Sequence, residues 1–224
     1  MKVVAVVNQK GGVGKTTTAI NLGAALGAFE RRVLLVDCDP QGNASRGLAV
    51  KAEPPLLYEV LRGEATLAEC VRPTGFPGLD IVPSNRDLVG IEVEFVGLAG
   101  WERRLRTALD GVSKAYDLAL LDCPPSLGHL TLCSLAAADG VLIPLQCEYF
   151  ALEGMGELLA TLKRVRQSIN PRLEVTGIVL TMFDERTRLS KDVVSEVRRH
   201  FGEKVYKSIV PRNIRLAEAP SHGS

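Results

Sequence analysis

The chain has 224 residues, enough for one large domain or two small ones. It is 46% hydrophobic, 24% charged and 5% aromatic, which excludes a disordered or low-complexity chain. No run approaches the roughly 18 consecutive apolar residues of a membrane span. The net charge is +1 but unevenly laid down: from Ala160 onward 13 Lys/Arg face 7 Asp/Glu. That surplus suits an anionic partner or an ordinary solvated helix surface equally well.

Short β-branched runs alternate with longer helical patterns. Strands are predicted over 3–7, 33–36, 79–82, 118–121, 141–144 and 175–180, with a last short one over 205–210. Most are continuously apolar, as strands covered on both faces are. Helices are predicted over 15–28, 56–62, 87–96, 101–114, 130–137, 152–168 and 190–200. Alternation of this kind implies parallel pairing through right-handed crossovers, hence a single-domain α/β fold with a doubly wound, mostly parallel sheet flanked by helices. The stretch 47–55 reads as a surface loop rather than a domain boundary. The five cysteines are odd in number and have no C-x-x-C spacing, so neither a zinc site nor a disulfide framework is expected. Cys38 and Cys123 fall within apolar runs and are expected to be buried. Five apolar or small residues after Met-Lys are too few for a signal-peptide core, which points to a cytoplasmic, reduced setting.

The most specific feature follows the first predicted strand: Lys10-Gly11-Gly12-Val13-Gly14-Lys15-Thr16-Thr17. A strand, a Gly-rich turn and a helix opening on Lys-Thr form a phosphate cradle, with backbone N–H groups turned inward and the helix N-terminus adding partial positive charge. Lys15 is expected to reach the β/γ-phosphates and the Thr16 hydroxyl to ligate Mg2+. Against G-x-x-x-x-G-K-[ST], Gln9 stands where the first glycine belongs, and Lys10 adds a second lysine.

Two acids follow the second strand, in Asp37-Cys38-Asp39-Pro40-Gln41-Gly42-Asn43, and strand C-termini form the ligand edge of parallel sheets. Two aspartates forming a turn before Pro-Gln-Gly-Asn are the plainer alternative. The fourth apolar run closes on Asp122, before Cys123-Pro124-Pro125-Ser126-Leu127-Gly128. An apolar strand ending in Asp, downstream of a phosphate loop, holds the Mg2+ shell, and Pro and Gly beyond it fit a loop that answers to the γ-phosphate.

The loop with its early lysine resembles the deviant Walker A motif of the ParA/MinD group of P-loop ATPases. The segments 146–154 and 211–223 resemble its ParA/Soj chromosome-partitioning branch, and the resemblance covers nearly the whole chain. It implies an ATP-dependent DNA-segregation ATPase, slow and switch-like, using ATP and Mg2+. Residues 11–17 bind nucleotide together with Lys10, which reaches across a nucleotide-sandwich homodimer. Asp39 positions the attacking water, Asp37 supports the loop and the metal's surroundings, and Pro211 and Asn213 help hold the adenine. Lys10, Lys15 and Asp39 are thus the catalytic residues, and Thr16 and Asp122 the metal residues. Arg186 and Arg215 match arginines of a phosphate-binding surface for non-specific DNA, and a ParB-like activating partner is implied, at the nucleoid and not at a membrane. Without the resemblance, Pro211-Arg212-Asn213 reads as a turn.

The family usually continues beyond Ser224 into C-terminal helices, so a ParA-type domain over 1–224 with those helices missing is expected. The runner-up is a MinD-type membrane-associated positioning ATPase, which needs an amphipathic C-terminal helix. A metabolic enzyme such as dethiobiotin synthetase or a cobyrinate amidase would need a dedicated small-substrate pocket. An iron-protein-like reductase would need cluster cysteines at a dimer face.

Overall fold

The computed structural model describes residues 1–148 and 151–213. Its strands are β1 (Lys2–Val6), β2 (Val33–Asp37), β3 (Arg72–Pro73), β4 (Leu79–Val82), β5 (Leu118–Asp122), β6 (Gly140–Gln146), β7 (Glu174–Phe183) and β8 (Val205–Pro211). They form one sheet in the order β3-β4-β2-β5-β1-β6-β7-β8. Every pairing is parallel except that of β3 with β4. The helices are α1 (Lys15–Ala28), α2 (Asn43–Gly47), α3 (Leu57–Arg62), α4 (Leu67–Cys70), α5 (Ile91–Glu94), α6 (Arg104–Val112), α7 (His129–Ala137), α8 (Ala151–Ser168) and α9 (Arg188–Phe201). None among the described residues is long and apolar enough to cross a membrane.

Side chains of a strand alternate between faces, so β1 serves two cores. Val3 and Ala5 join the larger core with residues of α6 to α9, while Val4 and Val6 join a smaller one under α1 and α2. β2 and β5 are buried on both faces, which is why they read as unbroken apolar runs rather than alternating ones. The chain leaves β1 toward β2 and β4 on one side, then builds β6, β7 and β8 on the other. A crevice therefore opens at the C-terminal end of β1, where the winding reverses. Val6, Asp37 and Asp122 are register partners at that level.

The predicted fold class holds, with three elements added and two redrawn. α2, α4 and the two-residue β3 were not expected; α4 carries a Thr66-x-x-Glu69 capping box, with the Thr66 N–H donating to Glu69 at 2.7 Å. The helix expected over 87–96 is a 3-10 turn at Arg86–Gly90 followed by the single turn of α5. That expected over 101–114 opens with a 3-10 turn at Trp101–Arg103 and ends as a helix at Val112. The loop expected over 47–55 begins only after Gly47, which closes α2 and is buried, and its residues 51–54 are exposed.

Candidate functional site

Between β1 and α1 the chain turns through Gly12 and Gly14 at φ values of 74° and 87°, a region that glycine alone enters without strain. α1 starts without a side-chain cap and without an acid in its first turn, so its N–H groups remain available to an anion. The loop is held from two sides. The Asn8 amide donates to the Pro144 carbonyl at 2.7 Å while its oxygen accepts from the Lys10 N–H at 3.0 Å. The Thr181 hydroxyl donates to the Val13 carbonyl at 2.9 Å. Neither Asn8 nor Thr181 was picked out from sequence, because each acts through a backbone atom remote in the chain.

A cleft of about 570 Å3 opens over this loop, walled by Gly11, Gly12 and residues 14–17 on one side and by Asp39, Asn43 and Pro125 on the other. A second, of about 810 Å3, shares Gly14, Thr17, Met182 and Asn213 with it and extends to Asp184, Arg186 and Pro211. Met182, at φ 52°, is a non-glycine residue in the left-handed region, placed where the two meet.

The two lysines part company. Lys15 is buried, and its ammonium donates to the Lys10 carbonyl at 3.3 Å. Burial lowers its pKa, against the pull of Asp122, Cys123 and Asp39. Lys10 points away, and its half-exposed ammonium meets Glu148 at 2.9 Å. Val13 is buried beneath the loop, and Thr16 and Thr17 open α1.

Asp37 and Asp39, two apart, differ in surroundings. Asp37 is fully buried and accepts from the Ser45 N–H at 2.9 Å and the Ser45 hydroxyl at 2.7 Å, which ties the start of α2 to β2. Burial raises its pKa to about 6, against those hydrogen bonds. Ser45 in turn accepts from the Ser84 N–H at 3.1 Å, and the Ser84 hydroxyl donates to the Asp39 carbonyl at 2.9 Å. Asp39 faces the cleft with one oxygen engaged, accepting from the Gln41 N–H at 2.9 Å. Ser45 and Ser84 also escaped sequence reasoning, lacking any local motif.

Asp122 is fully buried, and neither of its carboxylate oxygens has a hydrogen-bond partner. Burial, reinforced by Asp37, pushes its pKa up to about 8. The Thr16 hydroxyl and the Lys15 ammonium pull it back. A buried carboxylate with open lone pairs beside a threonine hydroxyl is a donor set that fits a hard divalent cation. Among the described residues no group of three or more His, Cys, Asp and Glu could hold a metal ion, so water and phosphate oxygens would complete the shell.

The remaining expected residues lie further out. Pro211 and Asn213 line the second cleft. Arg186 stands at its rim with an 83% exposed side chain, gripping Asp184 through two hydrogen bonds at 2.9 and 2.7 Å. Arg215 lies outside the described residues. All five cysteines are buried and unpaired, and burial pushes the Cys123 and Cys133 thiols up to about 12.

Comparison with known proteins adds independent findings. The model of a family described as AAA domain matches residues 1–175. The chromosome-partitioning ATPase Soj of Thermus thermophilus is 56% identical over 220 residues, covering 98% of this chain and 85% of that protein. The chromosome partitioning protein ParA of Caulobacter vibrioides (strain NA1000 / CB15N) is 53% identical over 227 residues, covering 100% and 85%. A crystal structure described as cobyrinic acid a,c-diamide synthase from Mycobacterium smegmatis, with bound ATP analog and magnesium, superposes with a TM-score of 0.90. It is 40% identical, over 100% of this chain and 93% of that one.

Proposed function

This chain belongs to the ParA/Soj family of chromosome-partitioning ATPases, and on that premise we propose that it is an ATP-driven switch for DNA segregation. ATP seats its phosphates on residues 11–17 and its adenine against Pro211 and Asn213. Lys15 neutralises β/γ-phosphate charge within its own subunit. Thr16 and Asp122 hold Mg2+, which supplies positive charge to the phosphoryl oxygens. Asp39 orients the attacking water and Asp37 keeps the Asp39 loop in place. Two subunits close around their nucleotides into a homodimer, each lending Lys10 to its partner's phosphates as charge develops there. The dimer doubles a basic surface that includes Arg186 and Arg215, so phosphate contacts too weak singly hold DNA without reading sequence. Hydrolysis, triggered by a ParB-like partner, releases it. The switch works in the cytoplasm, at the nucleoid.

What carries this reading is the division of labour between the lysines: Lys15 is sunk in the cradle, whereas Lys10 is held on the outside by Glu148. A lysine of the phosphate loop that turns away from its own cradle, and is held there only by a half-exposed ion pair, can exchange that pair for a neighbour's phosphates. The membrane-associated alternative has less behind it, since the relatives at 53% and 56% identity carry partitioning names.

The test is DNA retention at about 0.1 M salt with ATP, with ADP and without nucleotide. Retention with ATP alone is expected, and equal retention in all three states overturns the reading. Lys15→Ala should lose nucleotide affinity. Lys10→Ala should bind nucleotide yet neither dimerise nor hydrolyse, and should be rescued in part by mixing with subunits that carry Lys10. A synthase of the kind that names the Mycobacterium smegmatis neighbour would instead show ATP turnover that requires its carboxylic acid substrate.

A further inference from the structure

The loop after Asp122 is fastened at both ends. At its start, the Cys123 N–H donates to the Val6 carbonyl at 3.3 Å. At its end, α7 begins on Gly128 with no side-chain cap and no acid in its first turn. The missing anion comes from elsewhere in the fold. Glu92, in α5, accepts from the His129 N–H at 2.7 Å and from the Leu130 N–H at 3.2 Å, with the His129 Nδ1 also 3.2 Å away. A carboxylate at that place satisfies two orphan donors and complements the helix dipole.

Gly128 is shaped to admit it. Its φ of −75° is open to any residue, so conformation does not call for glycine there. A Cβ at that position would stand within 2.6 Å of three Glu92 carboxylate atoms, and the Glu92 carboxylate would have to shift. Between the two anchors, Pro125 forms part of the phosphate cleft wall, and the Thr131 hydroxyl closes the turn on the Ser126 carbonyl at 2.6 Å.

We propose that Glu92 is a positioning residue of the ATPase cycle, holding the far end of the 123–128 loop so that the loop stands correctly over the γ-phosphate. The inference rests on the ATPase reading given above. Glu92 touches no reacting atom, and it acts through α7. It predicts that turnover depends on Glu92 whereas binding of ADP, which has no γ-phosphate for the loop to meet, does not.

The test uses Glu92→Gln, which keeps the side chain's size but removes its charge, and Gly128→Ala, which displaces the carboxylate by bulk. ATP turnover and ADP affinity are measured in the whole chain. Trp101, the one tryptophan, provides a third readout, because its ring lies edge-on to His129 with centroids 4.7 Å apart. Each variant should lower kcat about tenfold, the scale of losing a charged cap, with the ADP Kd within about twofold of the parent. Trp101 emission should shift in both, and the double variant should be no slower than the slower single one, since both remove one contact. Should Gly128→Ala fail to fold, Glu92→Gln carries the test. Turnover within about twofold of an active parent, or kcat and ADP affinity falling together, overturns the inference alone. A parent without ATP turnover overturns the ATPase reading, and this inference with it.

Discussion

The two ends of the nucleotide cleft are built on opposite principles. At the phosphate end, Lys15, Asp37, Asp39 and Asp122 are all buried, and Ser45, Ser84, Asn8 and Thr181 lock the surrounding backbone from remote parts of the chain. At the other end, Arg186 and Asp184 meet at the surface, with Arg186 in water for most of its area. The first arrangement sets ionisable groups in a low-dielectric region before substrate arrives, which is costly in the empty protein but strengthens each interaction with a phosphoryl group. The second costs little and holds little, as exposed ion pairs do, and leaves the arginine able to change partners. Under the proposed function, the first end would carry the chemistry and the second the reversible contact.

The sharpest way to break this contrast is Asp122→Asn. Removing a buried carboxylate that lacks partners should raise the melting temperature of the nucleotide-free protein by about 2–4 °C, while Mg2+-dependent turnover falls about 10²-fold or more. A drop in melting temperature, followed by scanning calorimetry, would mean that burying Asp122 does not cost the empty protein stability. Asp39→Ala should leave ATP binding intact, since the cradle is untouched, and reduce turnover about 10²-fold. Single-turnover kinetics separates the two, and normal turnover removes Asp39 from water positioning. Ser45→Ala deletes the hydroxyl that joins Asp37 to Ser84 and should destabilise the fold by about 1–3 kcal/mol, read from urea unfolding. A neutral result would mean that the Asp37–Ser45–Ser84 chain is dispensable. The smallest effect on the fold itself is expected at the other end: Arg186→Glu should leave melting temperature and basal turnover unchanged while removing ATP-dependent DNA retention. Unchanged retention at about 0.1 M salt would take Arg186 out of the DNA surface.

Much of this site was legible in the chain because its parts are local. The cradle needs glycines, Lys15 and Thr16 in one short stretch between a strand and a helix, and strand geometry alone sends Asp37 and Asp122 to the same edge. The helix predicted over 15–28 is observed as drawn. The second acidic stretch was harder, for spacing could not tell which of Asp37 and Asp39 would be sealed in. Burial and the Ser45 hydrogen bonds decide that, and Ser45 lies eight residues beyond Asp37 with no motif to mark it.

Composition, apolar periodicity and glycine placement are short-range properties, so the sequence by itself determined the α/β class, the positions of the principal strands along the chain and the presence of a phosphate cradle. Tertiary structure decided what depends on distance across the sheet. It put Asn8 beneath Pro144, Thr181 against Val13, and Glu92 at the head of α7, each contact spanning 36 or more residues. It also decided the ionic character of the site, because desolvation depends on everything packed around a group and not on its neighbours in the chain. The same aspartate that reads as an ordinary strand-end acid becomes, once β1, β2 and α1 close over it, a buried carboxyl group whose pKa is pushed up to about 8.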